Sequence, residues 1–187
     1  MIRARKDAEP KPLTLRGDPR PGGPDLARPV EGGSCYLVKT HDPAALFEAF
    51  GSLRRSGEFG PAGLVISRIH PEKVQQRYAT GDGEYVWLTT NSVDDVVCAS
   101  PTAISLVHLK VVDFLKRNPA GVVALDGAEY LITNNTFETF LRFVHSLHDR
   151  LMMTKGVLLI ALDPQSVAPR ELHLIARDAL PWGEDAK

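Results

Sequence analysis

The sequence predicts an α/β fold: a single domain of three layers, with a mainly parallel sheet of about five strands and helices on both faces. Short runs of Val, Leu and Ile alternate along the chain with longer segments of helical periodicity. The connections are long enough for right-handed crossovers between parallel strands. Residues 157–162, VLLIAL, form a continuous apolar run, as expected of a strand buried on both faces.

The first half of the folded part alternates clearly between the two kinds of element. Residues 34–38 and 64–67 have the composition of strands, and Asp42-Pro43 supplies an N-cap and a first-turn proline for a helix over residues 44–55. Pro71 begins a short helix that ends at Tyr78, and a third strand follows at residues 85–88.

The second half is organised around the stretch from Gly121 to Asp149. A strand at residues 122–125 ends in Asp126-Gly127, where the pair is expected to shape the turn, and Asn134 or Asn135 caps a helix over about residues 136–154. Ser100-Pro101 is expected to cap an earlier helix that ends near residue 118, and a last helix or strand spans about residues 169–177.

Composition excludes several classes of protein. The 187 residues include 22 basic and 23 acidic side chains, and a net charge of −1 gives no field that would attract nucleic acid or an anionic membrane. No apolar run approaches the about 20 residues that span a bilayer, and the N-terminus lacks a signal core, so we expect a cytoplasmic protein without membrane insertion. Cys35 and Cys98 form no CxxC pattern, which favours inert thiols over a zinc knuckle or a disulfide.

Three regions are expected along the chain. Residues 1–33 are rich in Pro and Gly and poor in aliphatic side chains, which predicts a disordered leader. The alternative is a proline-rich docking arm at residues 16–24, with a plain linker or tail favoured. Residues 34–180 form the single domain, and residues 181–187 are expected to be a frayed tail.

The helix after Ser100 carries more apolar residues than one face can hold. At about 100° per residue, Ile104, Val107, Val111, Phe114 and Leu115 share a face, whereas Leu106 and Leu109 lie off it. Such a helix is either packed between neighbours or offers a surface to a partner protein. Burial inside the domain is the favoured interpretation.

The strand that ends in Asp126 has the pattern of a Walker B strand, with Glu129 placed as a water-activating carboxylate. A nucleotide site also needs a glycine-rich phosphate loop with a Lys and a Ser or Thr. The only near-match is residues 33–40, GSCYLVKT, which ends in Lys39-Thr40. Val38 replaces the second glycine and the run has the composition of a strand, so a working phosphate loop is disfavoured.

Other candidate groups leave alternatives open. Arg68, which follows a strand, binds an anion or pairs with Asp126 or Glu129, and neither interpretation is preferred. His145, His148 and Asp149 have the spacing of zinc ligands, but a helical wheel separates them and favours a packed histidine with a solvated pair. Ser67 lacks the G-x-S-x-G context of a nucleophile, and His70 is too close in sequence to suggest a triad.

Three stretches carry a resemblance to a known family: residues 63–78, GLVISRIHPEKVQQRY; residues 87–90, WLTT; and residues 122–150, VVALDGAEYLITNNTFETFLRFVHSLHDR. They look like the family called domain of unknown function 835, whose usual LDGLEYLI appears here with Ala128 in place of Leu. The resemblance covers about residues 36–175. It implies a core similar to RecA- and KaiC-type ATPases that has lost the phosphate loop and is reused for regulation or protein contact, and it carries over no catalytic residue.

The function expected from these observations is that of a non-enzymatic signalling or scaffold module that binds partner proteins and self-associates. The residues expected to bind protein are Leu106, Leu109, Asp126, Glu129 and Tyr130, and no cofactor or metal is expected. The alternative is a nucleotide-binding or Mg²⁺-dependent hydrolysing protein that uses Asp126 and Glu129 for the metal and Arg68 or Lys39 for phosphate.

Overall fold

The computed structural model describes residues 29–183. Most of the expected leader, including the docking arm of the alternative interpretation, and residues 184–187 of the expected tail lie outside the described residues. None of the helices within residues 29–183 is both long enough and apolar enough to cross a bilayer.

Seven strands and six helices make up the described chain. The strands are β1 Ser34–Lys39, β2 Gly63–Ser67, β3 Glu84–Leu88, β4 Cys98–Ala99, β5 Val122–Asp126, β6 Val157–Leu162 and β7 Ala179–Pro181. The helices are α1 Pro43–Ser56, α2 Pro71–Tyr78, α3 Ile104–Arg117, α4 Ala128–Asn134, α5 Phe137–Met152 and α6 Pro169–Ile175.

The strands form one sheet in the order β4-β3-β2-β5-β6-β1-β7, and every neighbouring pair is parallel. The expectation of about five strands is therefore wrong. The two additional strands, β4 and β7, lie at opposite edges and have only two and three residues. Such short segments carry too few residues to show the alternation by which a strand is recognised in a sequence.

Helices cover both faces of the sheet, which confirms the α/β architecture in layers. Side chains of α1 and α2 pack on one face, around Phe47, Phe50 and Val74. Side chains of α3, α5 and α6 pack on the other face. Strand β6 is buried along its whole length between the two layers, as its apolar run predicts.

The beginnings of the helices agree with the sequence only in part. The Asp42 carboxylate accepts a hydrogen bond from the Ala44 N–H at 2.9 Å and begins α1 as predicted. The prediction for α3 is wrong, because that helix begins at Ile104 and the Ser100 hydroxyl instead lies 2.9 Å from the Thr102 hydroxyl.

The N-cap of α5 is Thr136, whose hydroxyl accepts from the Thr139 N–H at 3.2 Å. The prediction of Asn134 or Asn135 is wrong because both amides serve the short helix α4, which the sequence interpretation missed. The Asn134 amide donates to the Tyr130 carbonyl at 2.8 Å, and that of Asn135 donates to the Leu131 carbonyl at 2.7 Å.

Two leucines of α3 are exposed, with relative accessibilities of 52% for Leu106 and 53% for Leu109. The favoured interpretation, burial of both inside the domain, is therefore wrong. The remaining interpretation, a surface that is free to contact a partner, agrees with their exposure.

Candidate functional site

The carboxyl ends of β2 and β5 lie side by side in the middle of the sheet, where Ser67 is in register with Asp126. The chain leaves β2 toward α2 on one face and leaves β5 toward α4 and α5 on the other face. Adjacent strands whose connections depart to opposite faces leave a crevice between them, and open α/β sheets bind ligands at such crevices. The candidate site is therefore built on these two strand ends.

Ser67 and Asp126 are joined by a short hydrogen bond across the two strands. The Ser67 hydroxyl donates to Asp126 Oδ2 at 2.6 Å and accepts from the Ile69 N–H at 2.9 Å. Ser67 is buried, and both of these contacts use its hydroxyl. The arrangement holds the turn after β2 against the end of β5 and gives no indication of a nucleophile.

Burial is the main cause that raises the pKa of the Asp126 carboxyl above its usual range. The nearby charge of Glu129 raises this pKa further, while the Ser67 hydrogen bond and the charge of Arg68 oppose the rise. Asp126 is thus a carboxyl whose ionised form is disfavoured by its surroundings.

Glu129 lies in the first turn of α4 and is engaged by the backbone of another strand end. Its Oε1 accepts a hydrogen bond from the Asp163 N–H at 2.8 Å, directly after β6. Sequence reasoning missed this role of Asp163. The signal for it is present in Asp163-Pro164, which follows an apolar strand and therefore lies at the same edge of the sheet as Asp126.

Arg68 is exposed, and its guanidinium carbon lies 4.2 Å from the centroid of the Tyr130 ring. Its carbonyl accepts a hydrogen bond from the indole N–H of Trp87 at 3.0 Å. Within residues 29–183, no ion pair joins Arg68 to Asp126 or Glu129. Of the two open interpretations, pairing of Arg68 with Asp126 or Glu129 is therefore not a direct ion pair. Arg68 acts on Asp126 through its charge, which lowers the pKa of that carboxyl.

Lys39 lies at the end of β1, and β6 separates that strand from β5. At a strand spacing of about 4.8 Å, its backbone is about 10 Å from that of Asp126. Residues 34–39 of the near-match to a phosphate loop are the strand β1 itself, as the sequence indicates. Gly33 precedes this strand, so it lies at the amino ends of the parallel strands, whereas Lys39 lies at their carboxyl ends.

The histidines of α5 contact the turn that follows α6. The His145 Nε2 atom lies 2.9 Å from Asp178 Oδ2, and the His148 Nδ1 atom lies 2.7 Å from the Asp178 carbonyl. His148 is half-buried, while Asp149 is exposed. No cluster of three or more potential metal ligands occurs in the part of the chain that the structure describes. His145 and His148 instead connect α5 to the segment that leads into β7.

Both cysteines are free thiols. Cys35 is buried in β1, and burial strongly raises the pKa of its thiol, which keeps it protonated and unreactive. Cys98 is half-buried in the edge strand β4.

Comparisons with known proteins agree with this architecture. No curated protein matches the chain. A solved structure of a project protein from Pyrococcus horikoshii OT3 is similar in fold, with a TM-score of 0.55, 12% sequence identity and 80% of each chain covered. The family model described as "Protein of unknown function (DUF835)" matches residues 49–178, which include both strand ends of the candidate site. The chain therefore belongs to the DUF835 family.

Proposed function

We propose that this protein is a non-enzymatic, cytoplasmic signalling or scaffold module that binds other proteins through a RecA-like core without a phosphate loop. The observation that carries the proposal is that the chain itself engages both candidate catalytic carboxylates. Asp126 accepts from the Ser67 hydroxyl, and Glu129 accepts from the Asp163 backbone.

These contacts support a structural role for the two acidic residues. A Mg²⁺ site requires carboxylate oxygens that face the ion or substrate phosphates. Here the Ser67 hydroxyl donates to Asp126 Oδ2, and the hydrogen bond from the Asp163 N–H to Glu129 connects α4 to the end of β6. Through these two hydrogen bonds the carboxylates connect the ends of β2, β5 and β6.

The RecA-like part of the proposal rests on the parallel sheet and on a central strand, β5, that ends in an acidic residue. In a nucleotide-binding relative of such a core, a glycine-rich loop would connect the first strand to the first helix. In this chain only Thr40, His41 and Asp42 lie between β1 and α1. Three residues without glycine give the backbone no means of enclosing a phosphate group.

The surface proposed to contact partners is the exposed side of α3. Leu106 and Leu109 project from it without cover from the described chain. Asp126, Glu129 and Tyr130, which the sequence also suggested as protein-binding residues, remain a prediction. Tyr130 is half-buried beneath Arg68, so only part of its ring is accessible to a partner.

One observation favours the alternative function, nucleotide binding. Arg68 places an exposed guanidinium at the carboxyl ends of β2 and β5, and arginine binds phosphate groups with paired hydrogen bonds. Arg68 would then hold a phosphate group while Asp126 and Glu129 held a metal ion.

Titration calorimetry separates the two functions. We expect no saturable heat when ATP, GTP or a cyclic dinucleotide is added with Mg²⁺ to the full chain. Arg68→Ala and Asp126→Ala serve as matched variants if heat is observed. Saturable binding that both substitutions abolish would establish the nucleotide site and overturn the proposed function.

The stability of an Asp126→Asn variant should depend on pH differently from that of the original chain. Because the folded-state pKa of Asp126 is raised, the folded protein holds this proton more tightly than the unfolded chain does. Its contribution to stability is complete below the unfolded pKa, near 3.9, and is lost as the pH rises through the folded pKa. Asparagine has no proton to lose, so the variant should gain stability relative to the original chain as the pH rises from about 4 to 7.

Urea unfolding at several pH values measures this difference. Ser67→Ala provides a second variant, because it removes the hydrogen bond that opposes the pKa rise and should extend the loss of stability to higher pH. A stability difference between Asp126→Asn and the original chain that stays constant from pH 4 to 7 would contradict the raised pKa.

A further inference from the structure

One edge of the sheet is paired over only part of its length. Strand β4 pairs with β3 at Trp87 and Leu88, and the Trp87 N–H also donates to the Val97 carbonyl at 2.8 Å. Two residues before Val97 the chain is in a turn, where Asp95 has a φ of 64°. The amino half of β3, residues 84–86, therefore pairs with β2 on one side, and no strand of the described chain pairs with its other side.

The backbone of Tyr85 faces this unpaired side. Alternate residues of a strand direct their N–H and C=O groups to the same side. Because the Trp87 N–H donates toward β4, the N–H and C=O of Tyr85 also point to the β4 side. Within residues 29–183, neither group has a hydrogen-bond partner there. Strand β3 thus presents a free backbone donor and acceptor, which form the template that an added strand requires.

A groove of about 490 Å³ lies beside the unpaired half of β3. Residues 83–86 line it from the sheet, and Leu64 and Val97 contribute apolar surface. The side chains that line it from α3 are charged: Lys110, Asp113 and Arg117. Binding sites for small ligands have volumes of about 300–1,000 Å³, so the groove has room for side chains of a segment that lies against the edge of β3.

Of the charged side chains that line the groove, Lys110 alone has no ion-pair partner among the described residues. Arg117 donates to Glu84 in two hydrogen bonds of 2.7 and 2.9 Å, and Asp113 lies 3.4 Å from the Lys116 ammonium group. Lys110 is half-buried. The charge that the groove offers to a ligand is therefore positive, which favours an acidic group on that ligand.

We propose that this groove binds an extended segment of a partner protein, which adds as a strand to the unpaired half of β3 and places an acidic side chain near Lys110. The backbone of an extended segment matches both groups of Tyr85, as in peptide recognition by strand addition. A small anion would match Lys110 only and leave the backbone of Tyr85 unpaired. Leu106 lies one helical turn before Lys110 on the same side of α3, next to this groove. The inference rests on the proposed function, because it names the class of partner.

Peptides selected on the full chain from a display library of linear heptapeptides serve as probes. We expect the enriched peptides to alternate apolar and polar positions and to carry an acidic residue. Backbone N-methylation of the most enriched peptide, one amide at a time, tests strand addition. Methylation of alternate amides should raise the dissociation constant by about tenfold, since it removes a donor that faces β3, and methylation of the amides between them should have a smaller effect.

Lys110→Glu tests the charge of the groove. It should raise the dissociation constant of the same peptide by about tenfold or more, because it brings two acidic groups together. Replacement of the acidic residue of the peptide by lysine should restore binding to this variant. Lys73→Glu is the matched control. It makes the same change at an exposed position of α2 that does not line the groove, and it should leave binding unchanged.

Hydrogen exchange measured by NMR locates the bound peptide. We expect the Tyr85 N–H to exchange rapidly in the free chain and about tenfold more slowly, or slower still, when the peptide is bound. An unchanged exchange rate at Tyr85, losses on N-methylation that do not alternate, or a library without enriched peptides overturns the inference. Dimerisation of the chain alone that protects the Tyr85 N–H also overturns it, because a second copy would then occupy the groove.

Failure of this inference is distinct from failure of the proposed function. The proposed function depends on nucleotide binding in the calorimetric titration, which does not involve the groove. If the groove binds no peptide, the exposed leucines of α3 remain a separate surface for partners.

Discussion

Leu131→Ala should lower the free energy of unfolding by about 3 kcal/mol, because it removes a fully buried side chain and leaves a cavity. Leu131 lies in α4, within the EYLI part of the family signature, and has no accessible surface. It packs in the core between the sheet and the helices α3 and α5. It is therefore a major anchor of a helix that has only seven residues.

Leu106→Ala provides the matched control, since it makes the same chemical change on another helix. Leu106 is more than half exposed, so its truncation should alter the unfolding free energy by less than about 0.5 kcal/mol. Urea unfolding of both variants measures the two values, at a concentration that keeps the chain monomeric. A loss of unfolding free energy for Leu131→Ala as small as that for Leu106→Ala would show that α4 does not depend on its buried leucine.

The contacts of α4 and its flanking residues account for the family signature. Within the run from Leu125 to Asn135, Leu131 fills the core, Glu129 accepts from the backbone after β6, and the Asn135 amide bonds the Pro101 and Leu131 carbonyls. Tyr130 lies beneath the Arg68 guanidinium. Each of these contacts positions α4 at the carboxyl ends of the strands, so the signature residues support the fold.

Local signals in the sequence were enough for the elements that have local causes. Asp42-Pro43 marks the start of α1 because capping and a first-turn proline act within four residues. The apolar run of β6 predicts burial on both faces because every side chain in it is apolar. The fold class follows from the alternation of such segments.

Features that depend on distant parts of the chain were not predictable in this way. The hydrogen bond between Ser67 and Asp126 joins residues 59 positions apart, and it exists because β2 and β5 are neighbours. Alternation of strands and helices permits several strand orders. The sequence therefore predicts that Ser67 and Asp126 both lie at carboxyl ends of strands, but it does not predict that the two strands are neighbours. The exposure of Leu106 and Leu109 likewise depends on where α5 and the sheet edge lie around α3.

Gly127→Ala should lower the free energy of unfolding by about 3 kcal/mol, because the turn between β5 and α4 needs glycine for two separate reasons. Gly127 has a φ of 129° and a ψ of 26°, a conformation that costs a residue with a side chain about 1–3 kcal/mol. A Cβ atom there would also lie 3.0 Å from Leu88 Cδ1 and 3.2 Å from Arg68 Cγ. Overpacking of this kind adds a further cost.

Gly57→Ala isolates the conformational part of that loss. Gly57 has a φ of 77° at the end of α1, and a Cβ atom added there meets nothing within 4 Å. Its replacement should therefore cost only about 1 kcal/mol, as expected for an L-residue in the left-handed region. A larger loss for Gly127→Ala than for Gly57→Ala in urea unfolding measures how tightly Arg68 and Leu88 pack around the turn. Equal losses would mean that the turn after Asp126 is loosely packed and that Arg68 and Leu88 add nothing to its need for glycine.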